Sequence, residues 1–146
     1  MRPDNKKAIA ELCASCHSDV RKMNPYGLPT DQFERYKTSK HGEQLFGQND
    51  QKVATCTDCH GVHDILKAKS PQARTYATNI PSTCGKCHAN ADYMKGYSIP
   101  TDQVSKWKSS VHGDAMLKNQ DLSAPTCNDC HGNHGATPPS IASVAN

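Results

Sequence analysis

All eight cysteines of this 146-residue chain fall in four copies of one pentapeptide. The copies are CASCH from Cys13, CTDCH from Cys56, CGKCH from Cys84 and CNDCH from Cys127. A C-x-x-C-H run is the attachment signature of c-type haem: the two thiols form thioethers with the vinyl groups, and the His turns back onto the iron. The pattern nominates Cys13, Cys16, His17, Cys56, Cys59, His60, Cys84, Cys87, His88, Cys127, Cys130 and His131 as cofactor-binding residues, with covalent haem c at each motif. Zinc needs no His after each second Cys. Disulfides closed within each C-x-x-C would leave those His unexplained.

The motifs also bear on what the chain can fold into. Leu, Ile, Val and Phe number 6, 5, 6 and 2, about 13% of the residues. A share below about 20% is usual for disordered chains. Four apolar macrocycles would supply the missing core. The expected fold is mainly α with much irregular coil: few short helices, little or no sheet, and a core packed on haem. The apoprotein is expected to be unfolded. The formal charge of +3 does not point to nucleic acid. Four ferric haems with their propionates would take it to about −1, and reduction to about −5. No apolar run approaches the roughly 20 residues of a transmembrane helix.

A shift of 71 residues superimposes Cys13 on Cys84 and Cys56 on Cys127. Residues 13–63 align with 84–134 without a gap, and 21 of the 51 positions are identical. Such self-similarity marks a tandem duplication, here of a two-haem module. Module 1 with its linker covers residues 1–75 and module 2 covers 76–146. The segments DQFERYKTSKHG and DQVSKWKSSVHG read as helices, with Thr30 and Thr101 as N-caps. Gly42 and Gly113 stand at the expected C′ positions. Val104, Trp107 and Val111 form an apolar stripe in the second copy, and Lys40 weakens the corresponding stripe in the first. Residues 64–82 read as an irregular connector. The polar ends, residues 1–12 and 135–146, are expected to pack on a neighbour or fray in solvent. Continuing the shift puts a third module's first Cys at position 155, so the tail reads as a spacer before another motif, and the chain as cut from, or evolved by truncation of, a longer array.

Eight His are present, and four follow the motifs. The others, His41, His63, His112 and His134, also obey the shift and equal the number of distal ligands needed. The expected iron ligands are therefore His17, His41, His60, His63, His88, His112, His131 and His134, a bis-His pair at each iron. His63 lies three residues after His60 and cannot reach the opposite face of the same haem, so it must serve another. The economical pairing sends His63 to the haem of His17 and His41 to the haem of His60. His134 and His112 would repeat this for His88 and His131. Exchange between modules or subunits is the alternative. Met23 and Met94 are also repeat-matched and are expected to pack on haem, as are Tyr26 and Tyr97. Asp58 and Asp129, inside the motifs, are expected to cap a short turn. Lys6, Lys7, Lys37, Lys40, Lys106 and Lys108 are expected to form a solvated face.

With SKHG and SVHG before the second motif of each copy, then CTDCHGVHDI and APTCNDCHGNHG, and NIPSTCGKCH between them, the chain resembles multihaem c-type cytochromes of the doubled-CxxCH type. The likeness spans nearly its whole length. It implies an exported, low-potential electron carrier, periplasmic or at the cell surface. It also implies that the polar start MRPDNKKAIAE follows a removed leader or belongs to a longer protein. Partners implied by the resemblance are other redox proteins, such as cytochromes or a membrane quinone-linked complex. Some relatives assemble into extracellular filaments, which is the first alternative. A fragment of a larger multihaem reductase is the second. Electron transfer is preferred over catalysis because bis-His iron has no position left for substrate, and no motif departs from the pattern.

Overall fold

A computed structural model describes residues 5–139 of the chain. The fold is mainly α, 54% helical, with many short helices joined by coil and no strand among the described residues. The first copy contributes α1 (Lys6–His17), α2 (Val20–Met23), α3 (Gln32–Lys37), α4 (Lys40–Gly42) with a π-helical turn after it (Glu43–Gly47), and α5 (Cys56–His60). The second contributes α6 (Ile80–His88), α7 (Ala91–Met94), α8 (Gln103–Lys108), α9 (Val111–Leu117) and α10 (Cys127–His131). The 71-residue shift carries α2, α3 and α5 onto α7, α8 and α10 at both ends.

Burial follows the same register. Ala10 and Pro81, Met23 and Met94, Leu45 and Met116, Val53 and Ala124, and Thr55 and Thr126 are buried pairs separated by 71 positions. Met116 is thus a core side chain in the place of Leu45. The residues divide into two compact units. The first holds the described residues up to Asp58 together with those from His131 onward; the second is Cys59–Cys130. In the first, Ala10, Tyr36, Leu45 and Val53 form the core, with Phe33, Phe46 and Cys56 against it. Phe46 meets the rings of Phe33 and Tyr36 edge-on at 6.0 and 6.4 Å, the favourable aromatic geometry. In the second, α6 packs on α8, and Gly85 lets Val104 approach it.

Several local expectations change. The segments 31–42 and 102–113 are not single helices. Each breaks after Lys37 or Lys108 and restarts at Lys40 or Val111. Ser39 and Ser110 are the cause. Each takes extended backbone angles, and its hydroxyl accepts the N–H of Gly42 or Gly113, as an N-cap does. Thr30 and Thr101 do not cap. Asp31 and Asp102 hold the N-cap positions, and their carboxylates pair instead with Arg35 (2.6 Å) and Lys106 (2.7 Å). The Lys106 ammonium holds the Asp102 carboxyl below its usual range. Val111 is 79% exposed, because it opens α9 rather than extending the stripe of α8. The connector is irregular only to the short 3-10 turn Ala77–Asn79; α6 then begins with Pro81 in its first turn, where a missing N–H costs nothing. Residues 6–12 lie in α1, with Ala10 fully buried. At the other end, the Ala136 carbonyl accepts the Lys40 N–H at 3.0 Å. Residues 1–4 and 140–146, included in the expectation for the ends, lie outside the described residues.

Gly42 and Gly113 serve a different purpose from the one expected. A Cβ on Gly42 would run into the Tyr36 carbonyl oxygen, and one on Gly113 into that of Trp107. Among the glycines, left-handed backbone is found instead at Gly27, Gly61, Gly96 and Gly132; of these, Gly61 (φ +88°) and Gly132 (φ +83°) lie just past the His that ends α5 and α10, the usual C′ placement. Gly42→Ala and Gly113→Ala should each cost about 2 kcal/mol or more, because the obstacle is backbone and cannot rotate away. Gly47 has no neighbour within 4 Å of an added Cβ. Gly47→Ala should leave stability unchanged or raise it by up to about 1 kcal/mol. Chemical-denaturation midpoints of the three variants test this contrast.

Candidate functional site

Each CxxCH motif lies on helix and places its His at the last helical residue: His17 on α1, His60 on α5, His88 on α6 and His131 on α10. Positions three apart share a helix face, so the two thiols of a motif point the same way and the His follows one residue on. The eight cysteines form no disulfide. Seven are half-buried and Cys16 is exposed. Among the described residues no three or more His, Cys, Asp or Glu gather into a metal-binding group. Iron held by a porphyrin asks for less, one protein ligand on each face.

The helices at the second motif of each copy are built alike. The Thr55 N–H donates to the Asp58 carboxylate at 2.8 Å and its hydroxyl at 3.2 Å, while Asp58 N–H returns to the Thr55 carbonyl at 3.1 Å. The corresponding distances for Thr126 and Asp129 are 2.7, 3.2 and 3.2 Å. This is a reciprocal cap, so both acids cap a turn. The Thr side chains are buried and the Asp are exposed. Asp58 is also paired with Lys6, whose Nζ lies 3.1 Å from it and whose side chain is only 17% exposed. Lys6 therefore departs from the expected solvated face, whereas Lys37, Lys40 and Lys106 pair with acids at the surface.

His131 shows how a motif His is oriented. Its Nδ1 lies 2.8 Å from the Thr137 carbonyl. A carbonyl only accepts, so Nδ1 carries a proton, and in the neutral ring Nε2 has the lone pair a metal needs. Thr137 N–H returns to the His131 carbonyl at 3.0 Å, closing the loop.

In the second unit the first cysteines of both motifs meet. The Cys84 thiol donates a hydrogen bond to the Cys127 sulfur. That bond, then burial and the charges of Cys127 and Cys59, push the Cys84 thiol far above its ordinary range. Accepting it lowers the Cys127 thiol to about 7.

The four further His occupy two settings. His41 and His112 sit one residue into α4 and α9, between the capping Ser and the crowded Gly. Ser39 Oγ donates to the Tyr36 carbonyl at 2.6 Å and accepts from Gly42 N–H at 3.1 Å; for Ser110 the distances are 2.7 and 3.3 Å. His63 and His134 follow α5 and α10 in bends and turns. Met23 and Met94 are buried, whereas Tyr26 is 74% exposed. Sequence reasoning missed Lys6, Ser39 and Ser110. The Ser pair had a legible signal: a preferred N-cap residue stands at a matched position in each copy.

Comparison of the chain with protein-family models, with curated proteins and with solved structures found no match. Ser39 is fully buried. Ser39→Ala should cost about 1–3 kcal/mol, since it strands the buried Gly42 N–H. Ser110→Ala should cost less, because that Ser is only half-buried. Equilibrium unfolding of both variants checks the order.

Proposed function

We propose that this chain is an exported electron carrier that holds four covalent c-type haems. The observation that carries this reading is the joint register of all eight Cys and all eight His in two copies of one module. The residues also suit a large apolar group. Exposed apolar side chains lie beside the motifs and the further His: Leu12 before Cys13, Val62 before His63 with Ile65 and Leu66 after it, and Val111 before His112. Leu28 and Ile99, a matched pair, are exposed as well.

On this reading each Cys pair would hold one haem, with His17, His60, His88 and His131 as first axial ligands and His41, His63, His112 and His134 as second. A bis-His haem supplies one-electron exchange at an iron with no open position. The chain's tasks are then to orient imidazoles, as Thr137 does for His131, and to set the charge around each site. Among the described residues no helix is long and apolar enough to cross a membrane; a quinone-linked membrane complex is one expected partner. Cytochromes are the other expected partners.

The purified native protein should carry four haems per chain by pyridine haemochrome, and the reduced protein should show no spectral shift with carbon monoxide. Replacing His41, His63, His112 or His134 by Ala should each open one iron of the four to carbon monoxide. A protein without covalent haem would overturn the reading.

A further inference from the structure

The two copies are so nearly superimposable in their hydrogen bonding that a difference between them stands out. Asp58 and Asp129 occupy the same place, one residue before the second Cys of their motif, and both accept from Thr at closely similar distances. Asp58 has a cation and Asp129 has none within 4.0 Å among the described residues. The ammonium of Lys6 is held in place by the Asp58 carboxylate at 3.1 Å and the Val53 carbonyl at 2.7 Å. Its backbone N–H is tied to Gln51 Oε1 at 3.1 Å. The position matching Lys6 under the shift of 71 is Ala77, which has no charge to offer.

A fixed carboxylate beside a haem favours ferric iron, which carries one more positive charge than ferrous, and so lowers the potential. A cation bound to that carboxylate cancels most of the effect. Lys6 is largely shielded from solvent, so salt screens it less than a surface pair. Asp64 and Arg74 both approach Gly61, just after the second motif; being of opposite sign, they offset one another. Resting on the four-haem reading above, we propose that Lys6 acts through Asp58 as a positioning residue that sets a higher potential at the Cys56–Cys59 site than at the Cys127–Cys130 site. An electron shared between these two sites then resides preferentially at the former. The duplication gives two equivalent attachment sites, and one Lys on α1 makes them electrically unequal.

The test is spectroelectrochemical titration of the holoprotein, resolving its four midpoints, beside haem content. Lys6→Gln should move one midpoint down more than the other three. Lys6→Gln with Asp58→Asn should return it toward the starting value, because Asn keeps an oxygen for the Thr55 N–H. Asp129→Asn should move a different midpoint up. Lys6→Gln with four haems bound and unchanged midpoints overturns the proposal. If that variant does not fold, Asp129→Asn decides alone, and no upward shift overturns it. A protein with no covalent haem fails at the earlier reading instead, which the haem content registers separately.

Discussion

Gly42 lies so close to the Tyr36 carbonyl that no side chain fits between them, and Gly113 stands in the same relation to Trp107. Much else follows from that approach. It lets the helix carrying His41 or His112 start directly against the end of the one before it, with Ser39 or Ser110 bridging the junction. The same aromatic residue then reaches forward. Tyr36 donates its hydroxyl to the Ala54 carbonyl at 2.8 Å, and Trp107 its indole N–H to the Pro125 carbonyl at 2.9 Å. One residue further on, Thr55 or Thr126 caps the helix of the second motif. A short relay of hydrogen bonds thus ties a candidate distal His to a candidate attachment helix in each copy. Tyr and Trp differ in shape and donor atom, yet both satisfy the same carbonyl position.

Such polar ties matter because apolar burial is scarce. The first unit has a core of Ala10, Tyr36, Leu45 and Val53, and the second buries mainly Met, Ala and one Val. These are few methylenes on which to hold a chain of this length. Larger apolar residues such as Leu12, Ile65 and Val111 lie outside, within two positions of Cys13, His63 and His112. Apolar side chains placed around the candidate haem-binding residues, with helix junctions fixed by caps, are what the proposed completion by an apolar ligand would require. This is the physical ground of the four-haem proposal.

The mainly α fold class with much irregular coil was legible, because aliphatic content is low and the segments 31–42 and 102–113 carry helical signals. The position of each motif was legible too, since the 71-residue shift appears again in helix ends and buried positions. Capping was read less well. The HisGly pairs at 41–42 and 112–113 look like helix ends in sequence, as those at 60–61 and 131–132 are. A Gly required for left-handed backbone and a Gly required for a close approach are spelled alike. Only the neighbouring chain tells them apart.

What the sequence determined by itself is the inventory and its register: four CxxCH motifs, four further His, and two copies of one plan. Local rules suffice there, because motif spacing and helix periodicity act over a few residues. The tertiary structure decided which Gly is crowded, that Lys6 meets Asp58 across 52 positions, and that the Thr137 carbonyl orients His131. It also brought the Cys84 and Cys127 sulfurs together. The ion pair and the thiol contact join residues far apart in the chain. The crowded Gly and the His131 loop depend on how a short segment turns back on itself. Neither kind of contact has a spacing rule from which it could be read.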